Sequence, residues 1–462
     1  MAPEPSGNRP VLIVGHGTAG RALAQNIALQ GGIVVGFLDD ASVGPEVLGQ
    51  LANVNDVIAA HKVAVVYFAI PSVGSKTVRD FLNSITTDAV EIAIIPRTYE
   101  ILTRETVDID DLTDIDVLDL VGREPVKHDL VSSAAFIRGK RVLVTGAAGS
   151  IGSQLVRQIL SMGAAAIACV DWWENGVFFL GQALEGRDEV TFHIADIKNE
   201  PLLDRIVGEF QPDIIFHAAA YKHVPLMQAN PLEAINNNVG GTLNLMRLAI
   251  RHRVANFVYV STDKAVNPAN VMGATKRLGE MIMESLAKTA PQTTFNAVRF
   301  GNVIQSNGSV MQTFRSQIAH GAPLTVTHPD VTRFFMTIDE ASQLIVQSAL
   351  IGVDSDIFVL DMGEPVKIMD LAKSLVKAVD PSLRIEVTGL RPGEKMFEEL
   401  SYEPHNVAQT SNPKIFVVRD AKNFDVEEFM TSIDVLLDLT RGYRLTSAEA
   451  VGELTKMGFL LK

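Results

Sequence analysis

Two adjacent titratable residues, Asp263 and Lys264, follow a short apolar stretch over 257–260 and stand next to Thr262. A carboxyl that gives up a proton and an amine that takes one are the two halves of general acid–base chemistry. A free carboxyl titrates near roughly 3.9 and a free ammonium near roughly 10.4, so both must move toward neutrality to do that work. Burial pushes each in the needed direction, and a nearby cation such as Lys276 lowers Lys264 further while opposing any rise at Asp263. Direct proton sharing is therefore expected, with titrations that belong to the pair. Met272 and Lys276 stand four residues apart where 273–287 has a helical pattern, which puts both on one face. A thioether cannot exchange a proton, although its soft side chain suits packing against a ligand. Proton traffic then falls to Thr262, Asp263, Lys264 and Lys276. The bland alternatives are a solvated Asp–Lys pair at a strand end, a helix-surface lysine and a plain β-branched strand threonine.

The elements that must position these groups read as an alternation of strands and helices. A strand over 141–145 enters a turn with Gly146, Gly149, Ser150, Ile151 and Gly152; a helix over 153–162 and a strand over 167–170 ending in Asp171 follow. This is the Rossmann βαβ layout, in which a helix N-terminus offers free N–H groups and a favourable dipole to phosphates. Asp171 suits a ribose 2'-hydroxyl and would repel the extra phosphate of NADP, so NAD is the expected cofactor. Further strands over 190–194, 213–216, 257–260 and 294–298 alternate with helical stretches, as a doubly wound parallel sheet requires. That sheet binds ligands at the carboxyl ends of its strands, the edge to which 257–260 delivers Asp263 and Lys264.

A shorter version of the same pattern precedes it. A strand over 11–14, the turn Gly15, Gly17, Gly20, a helix over 21–30 and a strand over 33–38 ending in Asp39 form a second βαβ unit, with strands over 63–70 and 91–95 beyond. A lone glycine motif is weak, and this unit has two readings: a nucleotide site built on those glycines and Asp39, or a structural or oligomerising role. The expected organisation is a flexible tail at 1–10, a Rossmann-like domain at 11–120 and a linker at 121–138. A catalytic domain with its substrate-binding part follows at 139–415, then a helical segment at 416–462. The fold class is α/β, with two Rossmann-like parallel-sheet domains.

With 47% hydrophobic residues and 462 positions the chain can bury large cores, and its net charge of −14, without any basic run, argues against a nucleic-acid partner. Cys169 is the only cysteine, so no internal disulfide can form, and its apolar neighbours suggest a buried strand position. The start lacks signal-peptide character and the apolar runs are too short to span a bilayer. A cytoplasmic protein with a small-molecule partner is expected, with no metal and no membrane span.

Longer motifs carry a resemblance. His217-Ala218-Ala219-Ala220-Tyr221-Lys222-His223, Asn237-Asn238, Arg299-Phe300-Gly301-Asn302, Arg333-Phe334-Phe335-Met336-Thr337 and Gly389-Leu390-Arg391-Pro392-Gly393-Glu394-Lys395 occur in this order. The set resembles the polysaccharide-biosynthesis (CapD-like) branch of the extended short-chain dehydrogenases/reductases, whose members are UDP-N-acetylglucosamine 4,6-dehydratases. It runs from about Val11 to beyond Lys414. Such enzymes usually carry Tyr four residues before the catalytic Lys, whereas Met272 stands there in this chain; one branch of the dehydratases also has Met.

The resemblance implies oxidation at sugar C4 by NAD, loss of water across C5–C6 and return of the hydride to C6. Asp263 would be the acid at C6 and Lys264 the base at C5. Thr262 would orient the C4 hydroxyl, with a water relaying its proton to solvent or to Lys276, and Lys276 would hold the nicotinamide ribose. It further implies that Gly146, Gly149, Ser150, Ile151, Gly152, Asp171, Ala218 and Ala219 bind the cofactor, with Asp196 beside adenine and Ile197 on its ring. Lys222 and His223 would face the sugar; Asn302, Arg333 and Arg391 would hold the UDP diphosphate, and Glu394 would accept from ribose or uracil. A UDP-sugar substrate and a homo-oligomer follow as expected partners. Many long members begin with transmembrane helices, which this sequence lacks, so membrane association is not carried over: a soluble variant and a piece of a longer chain both stay open, as does peripheral association. Trp172 and Trp173 depart from the smaller polar residues of relatives; they pack around adenine or cover the sheet edge. A 4-epimerase, or a nucleotide-sugar-binding module whose catalysis has lapsed, are the competing readings.

Overall fold

The computed structural model describes residues 9–70, 73, 75–87, 90–95, 113–114, 130–304, 306–353, 355–379, 382–400, 407–418 and 424–459. They fall into two compact units: Met1–Val126 with Thr313–Val331 and Val366–Gly389, and Lys127–Gln312 with Thr332–Pro365 and Leu390–Lys462.

The second unit is built on nine strands in the order Val407–Gln409, Ile415–Val418, Asp356–Leu360, Thr294–Arg299, Asn256–Val260, Ile214–His217, Arg141–Thr145, Ala166–Asp171 and Val190–Ile194. Pairing is parallel except at Ile415–Val418, which runs antiparallel to both its neighbours. Successive side chains on a strand point to opposite faces. Leu143, Ile215, Phe257 and Phe295 therefore enter one core, and Val142, Ile214, Val258 and Val298 the other. Both faces are covered, which explains why these strands read as unbroken apolar runs. Cys169 lies fully buried within one of them. The chain order reverses between Arg141–Thr145 and its neighbour Ile214–His217, so a crevice opens beyond the carboxyl ends of these two strands.

The first unit carries a six-stranded sheet in the order Val47–Gly49, Ile33–Leu38, Pro10–Val14, Val65–Phe68, Glu91–Ile94 and Thr113–Asp114. Its core gathers Val11, Ile13, Leu23, Ile27, Phe37 and Tyr67. Residues 313–331 and 366–389, expected within the catalytic domain, group with this unit instead. There the strand Leu324–Val326 pairs with Ile385–Val387 rather than with the nine-stranded sheet, and the helix Ile368–Val379 packs on the helix Ser75–Ser84.

Two other boundaries moved. The expected linker contains a helix at Leu130–Ile137, whose Ile137 is buried in the core of the second unit; its first part, 121–129, lies outside the described residues. The segment expected to be helical from 416 first completes the strand Ile415–Val418; the helices are Val426–Arg441 and Ser447–Lys456.

Candidate active site

The crevice at the strand-order reversal holds a cavity of about 630 Å³. Gly146, Gly149, Ser150, Ile151 and Gly152 form one wall. There the helix Ser150–Ser161 begins behind Gly149 without any side-chain cap, so the N–H groups of its first turn open on the cavity. Gly152 has to be glycine, because a Cβ would sit 2.0 Å from the Gly146 carbonyl oxygen. Asp171 ends its strand at the same wall, its carboxylate oriented by the backbone N–H groups of Ala148 and Trp173, both at 3.0 Å. Ile197, Ala218 and Ala219 line the cavity as well. Trp172 and Trp173 line it while keeping 58% and 44% of their surface exposed.

The facing wall brings the catalytic candidates together. Thr262, Lys264, Met272 and Lys276 all line the cavity. Asp263 does not: it is fully buried behind Thr262 and Lys264. The Thr262 hydroxyl donates to Asp263 Oδ1 at 2.8 Å, and Lys264 Nζ donates to the same oxygen at 3.0 Å. Nζ also donates to Asn302 Oδ1 at 3.2 Å and lies 3.6 Å from Glu398 Oε1. Asp263 Oδ2 and Glu398 Oε2 are buried with no hydrogen-bond partner among the described residues.

The expected downward shift of Lys264 is not what this cluster produces. Burial does act to lower it, but Asp263 and Glu398 outweigh burial and hold the ammonium above its usual range. Lys276 behaves in the opposite way. Burial pushes it down to about 7, against a smaller pull from Glu280. Its Nζ donates to the Val260 carbonyl at 2.7 Å and lies 4.5 Å over the Tyr259 ring.

Beneath the catalytic turn, Glu280 receives two bonds from Arg299, at 2.7 and 2.6 Å, and one from the Ser261 hydroxyl at 2.7 Å. Burial would raise this carboxyl, but Arg299 and Arg277 overcome it and hold it at about 2. An ion pair with both partners at 0% exposure fixes Ser261, and with it the start of the Thr262–Lys264 turn. On the neighbouring strand end, His217 is fully buried between the hydroxyls of Thr145 and Thr242, and burial drives its ring down to about 3, so it is neutral.

Of the substrate candidates, Lys222, His223 and Asn302 line the cavity. Arg333, Arg391 and Glu394 do not; they gather on one another, with Arg333 Nη2 2.9 Å from Glu394 Oε1 and the Arg391 N–H donating to Glu394 Oε2 at 3.1 Å. Asp196 also lies off the lining and accepts from the Lys198 N–H at 2.8 Å.

Residues outside the sequence-based set line the cavity too, among them Asn237, Ser306, Asn307 and Gly308. Asn237 stands on a π-helix, Ile235–Gly241, where Asn238 grips the backbone N–H and carbonyl of Tyr221 at 2.8 and 3.0 Å. Such wide turns recur at functional sites. Glu398 was missed because the sequence does not say which of two successive glutamates turns inward; Glu399 is the outward one, paired with Lys395 at 3.3 Å.

A parallel sheet in this strand order, with a glycine turn at its reversal point and a lysine helix on the facing wall, defines an extended short-chain dehydrogenase/reductase. The chain belongs to the polysaccharide biosynthesis protein family, whose model matches residues 142–420. A CoA-binding domain family matches residues 6–96. The capsular polysaccharide biosynthesis protein CapD of Staphylococcus aureus is 42% identical over 77% of this chain and 60% of its own length, so the chain spans less than two thirds of that relative. The probable polysaccharide biosynthesis protein EpsC of Bacillus subtilis is 41% identical over 88% of this chain and 70% of its own. Among solved structures, Pen from Bacillus thuringiensis is 32% identical, with a TM-score of 0.59 over 63% of this chain and 90% of that one.

Proposed function

We propose that the chain is an NAD-dependent UDP-N-acetylhexosamine 4,6-dehydratase, with UDP-N-acetylglucosamine the foremost substrate, acting in polysaccharide biosynthesis. The observation that carries this reading is the Thr262–Asp263–Lys264 cluster on the wall opposite an uncapped helix N-terminus. The residues fit NAD: the first-turn N–H groups at Ser150, Ile151 and Gly152 suit its diphosphate, Asp171 a ribose hydroxyl, and Lys276 the nicotinamide ribose. Bound there, NAD would supply a reversible hydride acceptor for sugar C4.

The protein's own groups handle the protons. Because the Thr262 hydroxyl donates to Asp263 and accepts the Lys264 backbone N–H at 3.4 Å, one lone pair is left on its oxygen to accept from the cavity side. The C4 hydroxyl proton therefore runs through Thr262 to Asp263, and neither Met272 nor a water relay to Lys276 is needed. Asp263 lies behind Thr262 and Lys264, so its exchange with the sugar, including protonation of the C6 oxygen, passes through these two side chains. Lys264 takes the C5 proton once its ammonium has given up its own. Lys222 and His223 face the sugar, while the uridine diphosphate extends past the cavity lining to the group formed by Arg333, Glu394 and Arg391.

Incubation with UDP-N-acetylglucosamine is expected to yield a 4-keto-6-deoxy sugar without net NADH, with solvent deuterium at C5. The C4 epimer of the substrate, without C5 deuterium, would point to a 4-epimerase. No turnover across UDP- and dTDP-hexoses would overturn the reading, and Lys264→Ala is expected to lose activity by at least ~100-fold.

A further inference from the structure

Lys264 is the only cavity-lining member of a buried group of three, and the third member has no place in the chemistry described so far. Glu398 approaches Lys264 Nζ to 3.6 Å from a segment 134 residues away, with 3% of its side chain exposed. Its Oε2 is buried and has no hydrogen-bond partner among the described residues. The charged groups that face it are Lys264 and Asp263 on the turn Asp263–Ala265, Arg333 on the strand Thr332–Arg333, and Lys395 on its own segment. A carboxylate held this far from water beside an ammonium, with an unused oxygen, is placed to take up a proton.

We propose that Glu398 sets the protonation state of Lys264. Ionised, it holds Nζ as an ammonium that cannot take the C5 proton; protonated, it leaves Nζ as the free amine that can. With Glu398 protonated, Nζ releases its proton to solvent through the cavity that Lys264 lines, with no other bond made or broken. The amine then binds the C5 proton as the C5–C6 double bond forms and the C6–O bond breaks, the leaving oxygen taking the proton held by Asp263; the ammonium exchanges with solvent through the cavity, and the amine is regenerated when Nζ delivers a solvent-derived proton to C5. Burial raises the Glu398 carboxyl and Asp263 adds to the rise, while Lys264 and the other cations oppose it. Glu398 is thus a positioning residue that acts through Lys264, and the inference rests on the dehydratase reading.

The test is the pH profile of kcat for product formation from UDP-N-acetylglucosamine, in the full chain and in Glu398→Gln. The amide cannot be ionised and stands in for the protonated carboxyl. Removing the anion eases loss of the Lys264 proton, so the acid limb of the profile is expected to shift down by about one pH unit or more, with KM within about threefold. Glu398→Asp keeps the charge but withdraws it from Nζ, and is expected to move the limb partway. A limb that stays in place in a folded Glu398→Gln overturns the proposal, as does an unmoved limb in Glu398→Asp should Glu398→Gln fail to fold. A wild-type chain inactive on every nucleotide hexose sinks the dehydratase reading itself, and the inference with it; an active wild type with an unmoved limb sinks the inference alone.

Discussion

The two glycine turns of this chain are built alike and end differently. In each, the last glycine lies where a Cβ would collide with the first glycine's carbonyl oxygen, at 1.9 Å for Gly20 over Gly15 and 2.0 Å for Gly152 over Gly146. In each, an acid closes the next strand. Asp39, however, carries one backbone N–H more than Asp171: Oδ2 accepts from the His16 N–H of the glycine turn at 2.7 Å, and Oδ1 from those of Ala41 and Ser42 in its own loop at 2.8 and 2.7 Å. Asp171 accepts one N–H on each oxygen and lines a cavity. Both glycine turns solve the same packing problem, and the second also opens on a cavity whose lining includes Lys264 and Lys276. The wall that carries these lysines rests on buried charge.

Removing the charge should have the largest effect. Glu280→Gln leaves Arg299 buried without its anion, and losing one partner of such a pair costs about 3–5 kcal/mol. Its pH signature is specific. Because the folded carboxyl is held at about 2, below its ordinary 4.5, its stabilisation is complete above 4.5 and is lost as pH falls toward 2. Acid unfolding followed by circular dichroism should show this dependence in wild type and lack it in the variant. Next comes the turn itself. Gly152→Val should displace the helix from Gly146, with loss of retained NAD and about 100-fold or more in turnover. Gly20→Val, with the same collision, should destabilise the first unit and leave kcat within about threefold. Equal kinetic damage from both would end the distinction between the turns.

Much of this contrast could be read from residue types. The strands Arg141–Thr145 and Val190–Ile194 have the expected bounds, because an apolar run cut off by turn residues has little choice in a sheet covered on both faces. The strand order then fixes where a ligand can lie, and the placement of Thr262, Lys264, Met272 and Lys276 on that edge follows. Side-chain direction past a strand end does not. Asp263 points into the protein while its neighbours line the cavity, and Glu398 reaches Lys264 across a separation that no local pattern encodes. The same holds for Arg333 and Glu394, which find each other 61 residues apart. The π-helix at Ile235–Gly241 depends on how an extra residue is absorbed inside a continuous helix, which leaves no periodic trace.

The acids give the sharpest comparison. If Asp171 keeps capacity for a ribose hydroxyl, Asp171→Ala loses a hydrogen bond to a charged group, about 1.5–3 kcal/mol, and NAD affinity should fall by about 10- to 100-fold. Discrimination against NADP should fall with it, since the charge that repels a 2'-phosphate is gone. Calorimetric titration with both dinucleotides measures the two effects together. Asp39→Ala should leave both affinities within about threefold, because its oxygens serve its own backbone. Its effect is on stability: three loop N–H groups lose their acceptor, at a cost of about 1–2 kcal/mol. Burial would raise the Asp39 carboxyl, yet those three N–H groups overcome it and hold it below the ordinary 3.8. The wild-type contribution is therefore present above 3.8 and fades only as pH drops below it, so wild type and Asp39→Ala should converge in thermal midpoint in strong acid and separate at neutral pH. A fall in NAD affinity in Asp39→Ala comparable to that in Asp171→Ala would mean that the first turn also presents its acid to a ligand, and that the extra loop N–H on Asp39 is not what separates the two.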